Sequence, residues 1–100
     1  MSKFSQDEIL SNIKEQCPDW SYEGLYIVRE FLLKNFISSL QFVNSVGFVA
    51  EGLDHHPEIS IKWDKVRVQV YTHSIGGVGP LDFSLAAKID QFYKLYKEIG

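Results

Sequence analysis

Apolar residues recur along this chain at two spacings, and the spacing separates predicted helices from predicted strands. Three segments repeat an apolar residue every three or four positions, as an amphipathic helix does, and four segments are rich in β-branched and aromatic residues. The predicted order is α-β-β-α-β-β-α over a single domain of residues 1–100. Two antiparallel hairpins then form one four-stranded antiparallel sheet with three helices on one face, an α+β two-layer sandwich.

The three predicted helices have start and stop signals as well as apolar stripes. Pro18 is predicted to end the first helix, and Gly52 helps to end the second. The start signals are a capping box of Ser5 and Glu8, then Ser38 or Ser39 as a cap, then Pro80 with Asp82 at the third helical position. The stripes expected to face the core are Ile9, Leu10, Ile13 and Cys17; Phe42, Val46, Val49, Ala50 and Leu53; and Leu81, Leu85, Ile89, Phe92, Tyr96 and Ile99.

The first predicted hairpin pairs residues 20–22 with residues 25–33 across Glu23-Gly24. Its second strand is apolar almost throughout, which indicates little exposure on either face.

The second predicted hairpin closes at Asp64-Lys65. This turn matches apolar residues across the two strands, because Trp63, Ile61 and Ile59 then face Val66, Val68 and Val70. The same register places His56 opposite His73. We therefore expect two histidines that are distant in sequence to lie side by side.

Composition and charge restrict the function more than they identify it. The chain is 45% hydrophobic with a net charge of −3 and has no run of Lys or Arg, so we expect no nucleic-acid partner, which would need a basic patch. No apolar run approaches the ~18 residues of a membrane span, so no membrane partner is expected. The N-terminus lacks a signal-peptide core and Cys17 is the single cysteine, which together favour a reducing, cytoplasmic setting.

All three histidines fall in two short segments that also carry polar or acidic residues. His55 and His56 follow Glu51 and Asp54, and His73 lies between Thr72 and Ser74. Imidazole titrates near neutrality, so the cluster is a candidate for proton transfer. Two other interpretations stay open: a loop cap with a surface strand histidine, or a zinc or iron site. The metal site requires irregular backbone, because adjacent strand residues point to opposite faces.

The spacing of these residues resembles the signature of one enzyme family. Glu51-x-x-x-His55-His56-Pro57, then five residues to Trp63, nine to His73 and eight to Asp82, is similar to the motif of the pterin-4a-carbinolamine dehydratases. The resemblance implies a four-stranded antiparallel sheet with helices on one side. It also implies removal of water from 4a-hydroxytetrahydropterin to give quinonoid dihydropterin, with no metal and no bound cofactor. Reduction of that product regenerates tetrahydropterin, so the implied role is tetrahydropterin recycling.

The resemblance also implies roles for individual residues. The implied catalytic residues are His55, His56 and His73, and the implied residues near the pterin substrate are Glu51, Asp54, Pro57, Thr72, Ser74 and Asp82. Loss of the 4a-hydroxyl needs one proton given and one taken from ring N5, which a protonated and a neutral imidazole can supply together. We favour His55 or His56 as the acid and His73 as its partner, with Asp54 or Glu51 orienting an imidazole. Trp63 is expected to pack in the core or the hairpin, and Asp82 to act as a helix cap, a pterin contact or both.

A second function class is compatible with the same resemblance. Members of that family can act as partners of transcription factors, so the alternative is a protein-interaction module with a protein partner, with or without dehydratase activity. A small domain with apolar strands is also expected to form a homo-oligomer, a dimer or a tetramer, through strand edges or helix packing.

Overall fold

The sheet and helices follow the order expected from the sequence. The structure, a computed structural model, describes residues 3–99, with side chains described from Lys3 to Lys97. Its elements are α1 (Gln6–Gln16), β1 (Ser21–Tyr22), β2 (Ile27–Leu32), α2 (Phe36–Leu53), β3 (Glu58–Lys62), β4 (Lys65–Val70), a 3₁₀ helix (His73–Ile75) and α3 (Pro80–Ile99). The strands form one antiparallel sheet in the order β1-β2-β4-β3. The predicted α+β architecture is therefore confirmed.

The core lies between the sheet and the helices. Strand β4 alternates buried and partly exposed residues, so its valines all point to the helical side. Phe31 of β2 packs against Phe42 of α2 and Tyr93 of α3, with ring centroids 4.9 Å and 4.8 Å away. These contacts join three elements across the two layers. Among residues 3–99, no helix is long and apolar enough to cross a membrane.

Two of the three predicted helix starts are confirmed. The Ser5 hydroxyl accepts from the Glu8 N–H at 3.2 Å, and the Glu8 carboxylate accepts from the Ser5 N–H at 2.8 Å, which is the expected capping box. Helix α3 begins at Pro80 as predicted. The cap predicted for α2 was wrong: Asn35 precedes this helix, and its side chain accepts from the Ser38 N–H at 2.8 Å. Asparagine and serine cap equally well, so the pattern alone did not separate them.

The apolar stripes were correct in most positions. The exceptions are Leu10, Leu81 and Phe92, which are exposed. In α3 the buried face is displaced around the helix, because Phe83, Ala86 and Tyr93 join Leu85 and Ile89 in the core. The predicted stripe residue Ile99 lies outside the described side chains.

The first hairpin has a longer loop and a shorter second strand than predicted. Strand β2 starts at Ile27 instead of Leu25, and the Glu23 N–H donates to the Tyr26 carbonyl at 2.9 Å. Gly24 has a φ of 85°, a left-handed conformation that favours glycine. The expectation that the second strand has little exposure was wrong, since Leu32 is exposed.

The predicted register of the second hairpin was wrong by two residues. The two-residue loop is Trp63-Asp64, and Trp63 has a φ of 56°, since short hairpin loops need a positive φ. Its side chain is 74% exposed and does not pack in the core, contrary to the prediction. The predicted pairing of His56 with His73 is also wrong, because β4 ends before His73, which begins the 3₁₀ helix. The observed pairs are Glu58–Gln69, Ile59–Val68, Ser60–Arg67, Ile61–Val66 and Lys62–Lys65.

Cys17 gives a test of the packing between α1 and the rest of the core. Its side chain is fully buried, and burial raises the pKa of the thiol from 9.0 to about 12, with a further increase from the negative charge of Asp90. The unfolded thiol therefore ionises at a lower pH than the folded one. Below pH 9.0 both states keep the proton and this thiol adds no pH dependence; above it, ionisation favours unfolding.

We expect the free energy of unfolding to fall above pH 9.0 by up to about 1.4 kcal/mol per pH unit from this group. Denaturant unfolding of the wild type and of Cys17→Ala across this pH range isolates the contribution of the thiol. The tyrosines and lysines titrate in both proteins, so their effects cancel in the difference. The difference between the two curves should shrink as the pH rises. A constant difference would show that the thiol is not buried as described.

Candidate active site

The three histidines of the chain line one open pocket. The cavity has a volume of about 290 Å³ and is lined by Asp54, His55, His56, Tyr71, Thr72, His73 and Ser74. The pairing proposed from the strand register does not occur, but the expected convergence of His73 with the His55-His56 tandem does. The pocket therefore has the composition expected for proton transfer.

Two chain reversals bring these residues together. Asp54 ends α2 in a left-handed conformation, with φ 50° and ψ 44°, and its N–H donates to carbonyls of the last helical turn. The tandem histidines follow directly, before β3 begins. On the other side, Thr72 pairs with Gly77 around the 3₁₀ helix, and Gly76 closes that helix with a φ of 66°. His73 is thus held on a short turn at the end of β4, beside the end of α2.

His55 belongs to a buried hydrogen-bond network around Asp82. Its Nε2 lies 2.5 Å from Asp82 Oδ1, and the carboxylate has no exposed surface. Asp82 Oδ2 accepts from the Thr72 hydroxyl and from the Gly79 N–H, both at 2.8 Å. These donors and the N-terminus of α3 stabilise the buried negative charge. Because the carboxylate accepts, Nε2 of His55 is the protonated nitrogen.

His56 has a weaker and more exposed partner. Its Nε2 lies 2.6 Å from Glu51 Oε1, and both side chains are mostly exposed. An ion pair of this kind in water contributes little to stability. Glu51 can orient the ring of His56, but it does not hold it as the buried network holds His55.

His73 contacts a residue to which the sequence patterns gave no role. Its Nδ1 lies 3.1 Å from the Tyr71 hydroxyl, and the two ring centroids are 4.4 Å apart. Tyr71 was missed because an alternating strand pattern places it on the same face as His73 without indicating a contact. The end of β4 at Val70 and the turn that follows produce the contact.

The other predicted substrate-binding residues fall into three groups. Asp54, Thr72 and Ser74 line the histidine pocket. Glu51 and Pro57 line a neighbouring groove between α2 and β3, which His56 also borders. Asp82 lies behind His55, and its predicted role as a helix cap is confirmed by the Gly79 contact. Its predicted direct contact with a pterin stays a prediction.

Each of the three histidines has one ring nitrogen held by a partner and the other without a hydrogen bond among residues 3–99. One ring nitrogen is engaged by a named partner: Asp82 for His55, Glu51 for His56 and Tyr71 for His73. Within residues 3–99 we find no hydrogen bond at the other ring nitrogen, which leaves it able to exchange a proton with a ligand. Over the same residues, no three His, Cys, Asp or Glu side chains are arranged to hold a metal ion.

Comparison with known proteins identifies relatives along almost the entire chain. The family model described as Pterin 4 alpha carbinolamine dehydratase matches residues 2–92. A Chloroflexus aurantiacus protein provisionally named a pterin-4-alpha-carbinolamine dehydratase is 44% identical over 91 residues, covering 91% of this chain and 97% of the relative. A Nitrosospira multiformis protein with the same provisional name is 39% identical over 95 residues, covering 95% and 83%.

A solved structure has the same fold. The crystal structure of a Brucella melitensis protein, described as a transcriptional coactivator/pterin dehydratase, matches with a TM-score of 0.85 and 30% identity. The alignment covers 92% of this chain and 99% of the Brucella chain.

Proposed function

The chain belongs to the pterin-4a-carbinolamine dehydratase family, and we propose that it removes water from 4a-hydroxytetrahydropterin by histidine general acid–base catalysis. The product would be quinonoid dihydropterin, and the role would be tetrahydropterin recycling in the cytoplasm. The observation that carries the proposal is the single pocket lined by His55, His56 and His73, with one nitrogen of each ring held by a partner. Its volume of about 290 Å³ is close to the smaller ligand pockets of proteins.

The reaction needs one proton donor and one proton acceptor. The bond from C4a to the hydroxyl oxygen breaks as an acid protonates that oxygen, and water leaves. The N5–H proton passes to a base, and the electron pair of that bond forms the new C4a=N5 double bond. A general acid or base typically contributes about 10²–10⁴-fold to such a step.

We assign the acid to His55 and the base to His73. Asp82 lies against His55 and compensates a positive charge on that ring, so the protonated form has a fixed counter-charge. His73 has no carboxylate partner within residues 3–99, and its one hydrogen bond there is to the neutral hydroxyl of Tyr71, which suits a group that starts neutral. Asp82 acts in this scheme through His55, and Thr72 holds Asp82 in place.

The remaining pocket residues then bind the pterin ring. Asp54, Ser74 and His56 line the cavity around the two proton-transfer groups, while Glu51 orients His56. Pro57 borders the groove beside His56. Polar groups at the edge of a flat bicyclic ring would fix its orientation without taking part in proton transfer.

A stopped-flow assay tests this function directly. A 4a-hydroxytetrahydropterin is mixed with the protein, and formation of the quinonoid product is followed by its absorbance. We expect a rate that increases in proportion to protein concentration above the spontaneous reaction. A rate equal to that of the spontaneous reaction in buffer alone would reject the dehydratase function.

An exposed apolar surface supports self-association and the alternative role as an interaction module. Ile37, Leu40 and Phe48 lie on the face of α2 opposite to the buried Phe42 and Val46, and Phe48 is 79% exposed. Phe48 also lines the groove between α2 and β3, which has a volume of about 440 Å³, and β3 is an edge strand whose outer side pairs with no strand among residues 3–99. Exposed apolar side chains beside an unpaired strand edge are features of protein contacts.

We propose that this surface joins copies of the chain into a dimer or a tetramer, and that a second protein could use it as well. Phe48→Asp is expected to lower the molar mass measured by light scattering. Association would bury an unpaired carboxylate, and the free energy of desolvating this charge opposes association. Leu10→Asp, the same change at an exposed leucine of α1, is the matched control and should leave the mass unchanged. A monomeric wild type, or a Phe48→Asp variant of unchanged mass, would reject the assignment.

A further inference from the structure

Tyr71 contacts His73 in two ways at the edge of the pocket. Its hydroxyl lies 3.1 Å from Nδ1 of His73, and the two rings pack with centroids 4.4 Å apart and planes inclined by 47°. Both side chains line the histidine pocket. Within residues 3–99 we find no other hydrogen bond to the His73 ring, so Tyr71 is the group that defines its orientation.

The position of this contact determines which ring nitrogen can move a proton. Because Tyr71 occupies Nδ1, Nε2 is the nitrogen left for a ligand. Nε2 can accept a proton only when the neutral ring carries its single proton on Nδ1. After the transfer the charged ring carries a proton on both nitrogens, so Nδ1 is protonated in both states. The Nδ1–H group therefore needs an acceptor before and after the transfer.

We infer that Tyr71 is a positioning residue for the dehydration reaction: its hydroxyl oxygen accepts a hydrogen bond from Nδ1–H of His73 and keeps Nε2 as the proton-exchanging nitrogen. The catalytic part of this inference rests on the proposed function. A phenolic oxygen can fill the role because it has lone pairs available at neutral pH. The neutral oxygen also adds no counter-charge, so the base is oriented without being held in its protonated form.

The local backbone anchors the turn from which both rings project. Thr72 lies between the two rings in sequence, and its N–H donates to the Gly77 carbonyl at 2.8 Å. The Thr72 side chain donates to Asp82 at the same distance, so this residue is held by both its backbone and its side chain. Tyr71 and His73 thus project from an anchored turn, and their rings pack over a separation of two residues.

The protonation pattern of His73 provides the first test. A long-range proton–nitrogen correlation spectrum of uniformly ¹⁵N-labelled protein, recorded where His73 is neutral, reports which ring nitrogen carries the proton. We expect Nδ1–H in the wild type and a shift of population toward Nε2–H in Tyr71→Phe, which keeps the ring and removes the oxygen. A wild-type ring protonated at Nε2 would overturn the inference, because Tyr71 would then be the donor.

Kinetics provide the second test and separate this inference from the proposed function. Tyr71→Phe is expected to lower kcat about 3–10-fold, the usual worth of one hydrogen bond, with KM changed by less than about 2-fold. In a His73→Ala background the same substitution should cause no further loss. An unchanged kcat, or an equal loss in both backgrounds, would overturn the positioning role. A wild type without dehydratase activity would reject the proposed function, while the nitrogen spectrum would still decide whether Tyr71 accepts from His73.

Discussion

Replacing His73 by alanine is expected to lower the dehydration rate about 10²–10⁴-fold, which is the usual contribution of one general acid or base. The loss should appear in kcat and in kcat/KM alike, because the group acts on the N5 proton in the transition state. The free energy of unfolding should change little, since His73 is exposed on a short turn and its hydrogen bond to Tyr71 lies at the surface. Stopped-flow kinetics and denaturant unfolding of the same preparation measure both effects.

An exposed position outside the pocket supplies the control for this variant. Lys65→Ala changes an exposed side chain of β4 and should leave both the rate and the unfolding free energy at wild-type values. Unchanged turnover in His73→Ala would remove His73 from the mechanism. A large loss of stability in that variant would mean that the histidine supports the fold, and the kinetic loss could then not be assigned to catalysis.

Substitution of Asp82 is expected to affect catalysis and stability to different extents, depending on the replacement. In Asp82→Asn the amide oxygen can still accept from Thr72 and Gly79, but the amide nitrogen then faces Nε2 of His55 and donates to it. Nε2 of His55 then carries no proton and the ring has no counter-charge, so His55 is held in its neutral form, which is a much weaker acid than the protonated ring. We expect kcat to fall about 10–100-fold, as it does when carboxylates hydrogen-bonded to metal-bound histidines are altered.

The alanine substitution at the same position removes all three contacts. Asp82→Ala leaves the Thr72 hydroxyl, the Gly79 N–H and the His55 ring without a partner in a buried site, which we expect to cost about 3 kcal/mol of unfolding free energy. Denaturant unfolding measures this loss. Asp82→Asn should retain most of the stability, so the two variants separate the effect on the protonation of His55 from the structural effect.

Asp90 offers a matched control on the same helix. Its carboxylate is also largely buried, and it accepts from Trp20 Nε1 and Arg29, both at 2.8 Å. Burial raises its pKa, with the two donors opposing the increase. Because burial disfavours the charged carboxylate, Asp90→Asn should change the free energy of unfolding little, and it should not lower kcat. A kcat loss equal to that of Asp82→Asn would show that any buried helix carboxylate has this effect, and the link to His55 would be lost.

The hydrophobic pattern determined the faces of the second hairpin but not its register. Apolar residues meet apolar residues in the predicted pairing and also in the observed one, for example Ile61 with Val66. A shift of two residues keeps every side chain on the same face, because the side-chain period of a strand is two. The loop decided between the two registers, and a positive φ at a tryptophan is not a signal that turn preferences predict.

The sequence predicted which residues form the site, whereas the hydrogen-bond partner of each histidine is known only from the three-dimensional structure. Spacing and resemblance identified the three histidines, Glu51 and Asp82 without indicating which carboxylate pairs with which ring. Asp82 pairs with His55 across 27 residues because α3 begins beside the end of α2. Glu51 pairs with His56 because the two lie on either side of the end of α2. Such pairings depend on packing between elements, which a periodic pattern does not contain.

The most direct measurement is a crystal structure of the protein with an unreactive reduced pterin bound. The account predicts a ring in the histidine pocket, with Nδ1 of His55 and Nε2 of His73 within hydrogen-bond reach of opposite parts of the reacting centre, about 2.6–3.2 Å or through one water. A pterin bound in the groove between α2 and β3, or one that leaves His73 out of reach, would contradict it.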